Sequence, residues 1–413
     1  MGAPSSFVAA GESRRILACR HVRGEMHEQP EVLARLARHV EHFAEQVGVL
    51  AAEHGGFREV VFLAPPTTQP VALLGRHAAA LRQRVPATAS GRRLIIAACP
   101  SGDDDRVLEL AHRALTTGSP LIAVTNEGRS PLARAATLSV DVAAGLELSR
   151  SATKSVTGMM LAVLALVDGL PQLRAADPAS PANAADPEDS VNAADSADPA
   201  NVAEPEDPVN AADPANPVDP ANPATAAPPA PPRIADPAHA RALAEAVGVL
   251  LADPDPAAAA AVRLVDARRI AVVGQGHHHP AALETARMLR ETAGLTAEGF
   301  SVEGFCSGPM GGFDAATAAV LLAGRGHTAI RSLGARLKAR GAHVIVLGDD
   351  PARADDLLFP PVGALGTVSA SAECVLATVR GQQLALAAAR ALGVDPDRPA
   401  GQGFSAQHPW GAR

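Results

Sequence analysis

The stretch "RRLIIAACPSGDDDRVLELAHRAL" (92–115) reads as a strand, a loop and a helix in succession. Residues 92–98 hold a short unbroken apolar run suited to a strand buried on both faces, and from Arg106 apolar residues return at helical spacing. The join, "CPSGDDD" (99–105), puts small residues at the start of a helix. Such joins commonly hold phosphate, because free backbone N–H groups and the helix dipole converge there. Three consecutive aspartates line such a hole poorly.

The same rhythm recurs on either side. Strand-like runs stand at "EVVFLA" (59–64), "PLIAVTN" (120–126) and "LSVDV" (138–142), then at "RRIAVVG" (268–274), "AAVLLAG" (318–324), "AHVIVLGD" (342–349) and "DLLFPP" (356–361). Apolar strands separated by helices of about ten or more residues imply parallel sheets covered on both faces. The predicted fold class is therefore α/β, with two similar α/β/α domains. In that class, ligands sit beyond the carboxyl ends of strands, where strand order reverses.

Between the two sets of strands the composition changes. Residues 175–232 are built from "ADPAN", "NAADP" and "DPANPVDPANPA", with few large apolar side chains, so they cannot bury enough surface to offset their ordering entropy. A disordered linker is expected. The expected boundaries are an N-terminal tail over 1–20, a first domain over 21–173, the linker over 174–234, a second domain over 235–400 and a C-terminal tail over 401–413.

Composition narrows the function. The chain has 413 residues, 47% of them hydrophobic, but only 2% aromatic with no Tyr and a single Trp, so stacking on bases or sugar rings is a poor mode of recognition. The formal charge of −8 is concentrated in residues 175–232, which carry eleven acidic residues and no basic ones; elsewhere 36 basic residues face 33 acidic. Neither a nucleic acid nor a charged membrane surface is an expected partner. Cys19, Cys99, Cys306 and Cys374 form no CxxC pair, which argues against a zinc site and a disulfide framework. With no signal-peptide pattern and no run of about 18 apolar residues, the expected location is cytoplasmic.

Several segments, in order, carry a resemblance. "EMHEQPEVLARL" (25–36), the loop "CPSGDDD", "AVTNEGRSPLARAA" (123–136) and "AGLELSRSATKSVTGMMLAVLAL" (144–166) resemble the first sugar isomerase (SIS) domain of the isomerase half of glutamine–fructose-6-phosphate aminotransferase and related amino-sugar-phosphate deaminases. "VVGQGHHHPAALETARMLRETAGLTAEGFSVEGFCSGPMGG" (272–312) and "GQQLALAAARALGVDPDRP" (381–399) resemble the second. The resemblance implies two flavodoxin-like domains, a phosphosugar site in the first, catalytic groups from the second and from a partner subunit, and hence a homodimer. It does not extend to a glutaminase domain, so ammonia delivery from glutamine is not expected.

The resemblance also assigns positions. The family's phosphate loop, Ser-x-Ser-Gly-x-Thr, falls on Cys99, Pro100, Ser101, Gly102, Asp103 and Asp104. Ser101 and Gly102 are retained, whereas Pro100 lacks an N–H and Asp104 puts an acceptor-only anion where a hydroxyl belongs. A unit charge about 5 Å from another costs on the order of 3 kcal/mol at an effective dielectric near 20, more than the roughly 0.5–1.5 kcal/mol of one hydrogen bond. The loop is then a helix start capped by Ser101 with Asp103 to Asp105 at its positive end, or an altered site reading an amine or hydroxyls, or a working cradle. In "APPTTQP" (64–70), Thr67 and Thr68 fall where hydroxyls touch the sugar, or belong to an ordinary rigid turn.

Glu291 falls on the family's catalytic base, a carboxylate that burial can lift towards neutrality; the alternative is a glutamate paired with Arg287 one helical turn away. The family's lysine three residues earlier is Met288 here, its ring-opening histidine is Ser307, and its C-terminal lysine segment is replaced by "AGQGFSAQHPWGAR" (400–413). Glu147 and Lys154, in "LELSRSATKS" (146–155), fall on the site wall or serve a helix start flanked by Ser and Thr caps. His277, His278 and His279 lack acidic or Cys partners at helical spacing, so no metal is expected. "GQG" (274–276) lacks the third glycine of a dinucleotide fingerprint, and no cofactor is expected.

Three functions are carried forward: a double-SIS protein binding a sugar phosphate or related small carbohydrate derivative with a degenerate isomerase site, an active aldose–ketose isomerase or amino-sugar-phosphate deaminase, and a regulatory or structural protein without a ligand.

Overall fold

The computed structural model describes residues 19–82, 92–170, 233–324, 328–348, 357–358 and 369–397. Nearly all of the expected linker and the C-terminal tail lie outside these residues. The first half comprises α1 (Arg20–Leu36), α2 (Val40–Glu53), β1 (Phe57–Leu63), α3 (Gln69–Arg82), β2 (Arg92–Ala98), α4 (Asp105–Thr116), β3 (Leu121–Thr125), α5 (Pro131–Ala135), β4 (Leu138–Asp141) and α6 (Lys154–Gly169). The second comprises α7 (Pro237–Ala252), α8 (Asp255–Ala261), β5 (Arg269–Gly274), α9 (His278–Ala293), β6 (Ala297–Ser301), α10 (Val302–Cys306), β7 (Thr317–Ala323), α11 (Thr328–Ala339), β8 (His343–Gly348), β9 (Leu357–Leu358) and α12 (Ala370–Leu392).

Two parallel sheets result, with strand orders β1-β2-β3-β4 and β6-β5-β7-β8-β9. Each expected strand run forms, the last only as the two residues of β9. Strand β6, "AEGFS", is an addition. It lies at a sheet edge with half-exposed side chains, so it needs no apolar run and carries none. The reversal of strand order expected at a ligand site occurs only in the second sheet, where β5 pairs with β6 on one side and β7 on the other. Among the described strands the first sheet runs in chain order, a correction for the half in which the resemblance implies a phosphosugar site.

Burial explains the helices between the sheets. From Lys154 to Asp168 every residue of α6 is buried, as its nearly continuous apolar sequence requires. It packs against α1, α2, α3 and α12, and a single hydrophobic cluster includes Leu33, Met159 and Leu164 of the first half with Leu243, Val247 and Val379 of the second. The halves thus share one core. Within it Gln29 is fully buried: its amide donates to Gln382 Oε1 at 2.8 Å and to Met26 O at 3.1 Å, and its Oε1 accepts from Thr157 Oγ1 at 2.9 Å. One side chain ties α1, α6 and α12 together.

The ends of the described chain meet as well. Asp395 Oδ1 accepts from Cys19 N at 3.0 Å, and Asp397 accepts from His21 N at 2.7 Å and Val22 N at 3.2 Å. Two carboxylates of "DPDRP" therefore answer the free N–H groups at the head of α1, where the dipole favours negative charge.

Close helix contact sets a test. A Cβ on Gly169 would stand 2.2 Å from Ala44 O and 2.5 Å from Ala44 Cα, so α2 would have to move, whereas nothing lies within 4 Å of a Cβ on Gly24. Gly169→Ala is expected to lose about 1–3 kcal/mol in urea denaturation, and Gly24→Ala in α1 to gain about 0.5–1 kcal/mol.

Candidate functional site

At the end of β2 the loop is fixed from behind. Pro100 O accepts from Asn126 N at 2.9 Å and from Thr125 Oγ1 at 3.0 Å, and Gly102 O accepts from Leu132 N at 3.0 Å. Gly102 has φ +63°, and a Cβ there would lie 2.1 Å from Ser130 Oγ; both strain and space demand glycine. The cap of α4 is Asp104, whose Oδ1 accepts from Val107 N at 2.9 Å, a correction to the expectation that Ser101 caps it. Asp104 has extended backbone angles and reaches the third helical N–H, the ordinary capping geometry. Ser101 is exposed, with its Oγ 3.8 Å from Cys99 Sγ. The chain's own carboxylate thus fills a helix-end donor that an incoming anion would need.

The neighbouring loop is turned inward in part. Thr68 is buried and donates its hydroxyl to Ala98 O at 2.9 Å, which ties the turn after β1 to the end of β2, while Thr67 is exposed. From Asn126 the framework continues: its Nδ2 donates to Gly145 O at 2.9 Å and its Oδ1 accepts from Ala144 N at 2.7 Å.

That bond leads into the segment 147–155. Glu147 Oε1 accepts from Thr153 N at 2.8 Å and Ser155 N at 3.3 Å, and its Oε2 accepts from Ser155 Oγ. Glu147 therefore caps α6, whereas Thr153, at the N-cap position, makes no side-chain cap, contrary to the Ser/Thr capping expected there. Glu25 is buried and accepts from Leu148 N, from Ser149 N at 3.0 Å and from Ser149 Oγ. Lys154, its side chain 4% exposed, pairs with Glu28, which is 55% exposed.

Helix α9 brings its own charges to this segment. Arg287 is buried and donates to Glu284 Oε2 at 2.9 Å and Oε1 at 2.5 Å, to Glu291 Oε2, and to Ala152 O at 3.0 Å. Burial pulls the guanidinium pKa down, but Glu284 and Glu291 more than offset it and hold the group protonated. Burial pushes the Glu291 carboxyl up; Arg287 opposes this and Glu284 adds to it, leaving a net rise. Glu291 remains 28% exposed. Met288 is buried and apolar where the resemblance implies a lysine.

Glu147, Lys154 and Glu291 are therefore brought together around one segment, and Ser101, Gly102 and Asp104 are joined to its leading edge through Asn126. Ser307, at the end of α10, is exposed and donates back to Gly304 O at 3.0 Å, with no bond to the first-half loops among the described contacts. Sequence reasoning does not reach Glu25, Glu28 or Glu284. The last was signalled by its three-residue spacing from Arg287; the first two bind partners more than 120 residues away.

The histidine run meets the first half at α3. The His77 ring lies 6.1 Å from His277 and 6.3 Å from His279, centroid to centroid, and His278 Nε2 lies 3.7 Å from Glu373 Oε2. Among the described residues no group of three His, Cys, Asp or Glu side chains is placed to hold a metal ion, and no helix is long and apolar enough to cross a membrane. Burial, with His77 adding to it, lowers His279 to about 4.

Comparison with known proteins bears on the fold and the family. The SIS domain model matches residues 67–168 and 263–354. The chain is 32% identical over 169 residues to the isomerizing glutamine–fructose-6-phosphate aminotransferase of Mycolicibacterium paratuberculosis, a stretch covering 38% of this chain and 26% of that protein. It spans about a quarter of the length of such relatives. The C-terminal domain of glucosamine-fructose-6-phosphate aminotransferase from Francisella tularensis superposes with a TM-score of 0.64 at 16% identity, over 92% of this chain and 98% of that one. The tagatose-6-phosphate ketose/aldose isomerase of Escherichia coli gives 0.61 at 15% identity, over 99% and 100%.

Two outcomes test the site's electrostatics. Arg287→Met leaves Glu284 buried without its counter-charge and is expected to cost about 3–5 kcal/mol in chemical denaturation, most of it regained in the Glu284→Met/Arg287→Met double variant. A histidine in water ordinarily titrates near 6.5. As pH falls from there towards about 4, the unfolded chain takes a proton that the folded one refuses, so folding stability declines across that window and levels off below it. His279→Asn is expected to flatten this slope in urea denaturation measured across the pH range.

Proposed function

Because the chain carries two SIS domains and is homologous to the isomerase half of glutamine–fructose-6-phosphate aminotransferase, we propose that it is a carbohydrate-derivative-binding protein that has lost aldose–ketose isomerase chemistry. A homodimer working in the cytoplasm belongs to the same reading. Isomerisation moves a proton between adjacent sugar carbons and needs a base, an acid for ring opening and a cation for the developing oxyanion. The single observation that carries the reading is the Arg287 grip on Glu291: one oxygen of the only carboxylate aligned with the family base is already held by a guanidinium. Met288 and Ser307 supply neither the cation nor the acid.

An active isomerase or deaminase is the second reading. It is favoured by one observation, that burial raises the Glu291 carboxyl while leaving the group partly open to solvent.

Coupled assays with fructose-6-phosphate and glucosamine-6-phosphate separate the two. Turnover is expected to be absent from the wild-type chain and from Glu291→Gln alike. Turnover in the wild type that disappears in Glu291→Gln would establish the second reading instead.

A further inference from the structure

Three half-buried histidines meet across the junction of the halves, and the candidate site uses none of them. The ring of His77, on α3, stands 6.1 Å from that of His277 and 6.3 Å from that of His279, centroid to centroid, at the head of α9. Helix α12 begins at the same place, with Ser371 Oγ 3.5 Å from His277 Nδ1 and Glu373 Oε2 3.7 Å from His278 Nε2. The cluster therefore joins one helix of the first half to the heads of two long helices of the second.

Positive charge is poorly accommodated there. The N-terminal ends of α9 and α12, helices of 16 and 23 residues, both lie at the rings, and a helix dipole disfavours a cation at that end. The His77 ring bonds to the backbone of Gly276, and its Nδ1 is buried with no hydrogen-bond partner, so a second ring proton would find no acceptor. Arg76, on α3, adds charge of the same sign. Against it stand two carboxylates, the exposed Glu303 on α10, which acts on His279, and Glu373 on α12, which faces His278. Burial lowers His77, opposed by the bond to Gly276 and aided by Arg76, and it lowers His279 to about 4, aided by His77. Neutral rings are the state this packing suits.

We infer that His77, His277 and His279 form an acid-released latch between the halves: neutral rings hold α3 against the head of α9, and protonated rings repel one another and part that junction. In an opened junction each ring meets water and takes its proton near the ordinary pH of about 6.5, whereas the closed junction keeps His77 and His279 neutral to lower pH. The closed form is therefore fully favoured above that range and loses ground as pH falls through it. Helix α3 follows directly on the Thr67–Thr68 turn and α9 carries Glu291, so release of the latch frees two elements of the candidate site to move apart.

The test is hydrogen–deuterium exchange of the full chain at about pH 7 and about pH 5, corrected for the intrinsic pH dependence of amide exchange. Opening of the second half of α3 and of residues 274–282 is expected to rise about tenfold or more at the lower pH, since each proton taken up only by the open form contributes up to about tenfold per pH unit. At that pH both segments are expected to exchange at least tenfold faster than the buried α6. The double variant His77→Asn/His279→Asn is expected to lose most of the rise, and His112→Asn, a change at an exposed histidine of α4, to keep it. Segments whose opening does not respond to pH overturn the inference. Segments that open no faster than α6 overturn it as well, because acid then unfolds the chain as a whole, and so does a rise that survives in the double variant. The two wild-type comparisons decide the matter even where the double variant fails to fold.

Discussion

A guanidinium taken out of water must have its charge and its N–H groups answered, and at Arg287 the partners come from both halves of the molecule. Glu284 and Glu291 meet the charge from the same helix, and Ala152 O takes a remaining N–H from the other side of the junction. Breaking one partner of such a buried group is far more damaging than never having had it. The consequence is positional. Helix α9 is held at the head of α6, where Glu147 and Glu25 pin successive backbone N–H groups of the same segment. The wall of the candidate site is thus an electrostatic construction in which carboxylates hold the backbone and one arginine holds the carboxylates.

The neighbouring loop separates shape from chemistry. Gly102 keeps a left-handed turn that no other residue could fit against Ser130, and Pro100 O keeps its bonds to Thr125 and Asn126. A tight, glycine-dependent turn from strand to helix is therefore present. The helix end it leads into is closed by the chain itself: a capping aspartate stabilises the helix by about 0.5–2 kcal/mol relative to alanine, and Asp104 takes the N–H of Val107.

Much of the fold was legible because it rests on runs of apolar residues. "RRLIIAA" is β2 residue for residue, and the other expected runs form strands within a residue or two, apart from the short β9. Strand β6 escaped because an edge strand needs no such run. Within the site, local chemistry was only partly legible: sequence placed a cap at the head of α4 but chose Ser101, since composition cannot tell which of several capable side chains has the backbone angles to reach Val107 N. Pairings that close over long stretches of chain, such as Glu25 with Ser149, Lys154 with Glu28 and Gln29 with Gln382, leave no periodic trace. Arg287 and Glu291 were readable because one turn of helix fixes their neighbourhood.

The apolar cluster that runs without interruption from α1 and α6 into α7 and α12 has a bearing on how such a protein can change over time. A half cut away at the end of α6 would present to water the flank that α12 covers, and Gln29 would lose the amide it faces. Recombination that swapped one half for a foreign counterpart would have to reproduce that seam side chain by side chain. The pair, rather than either copy, is the heritable module, and the freedom to diverge is left to the loops at the strand ends.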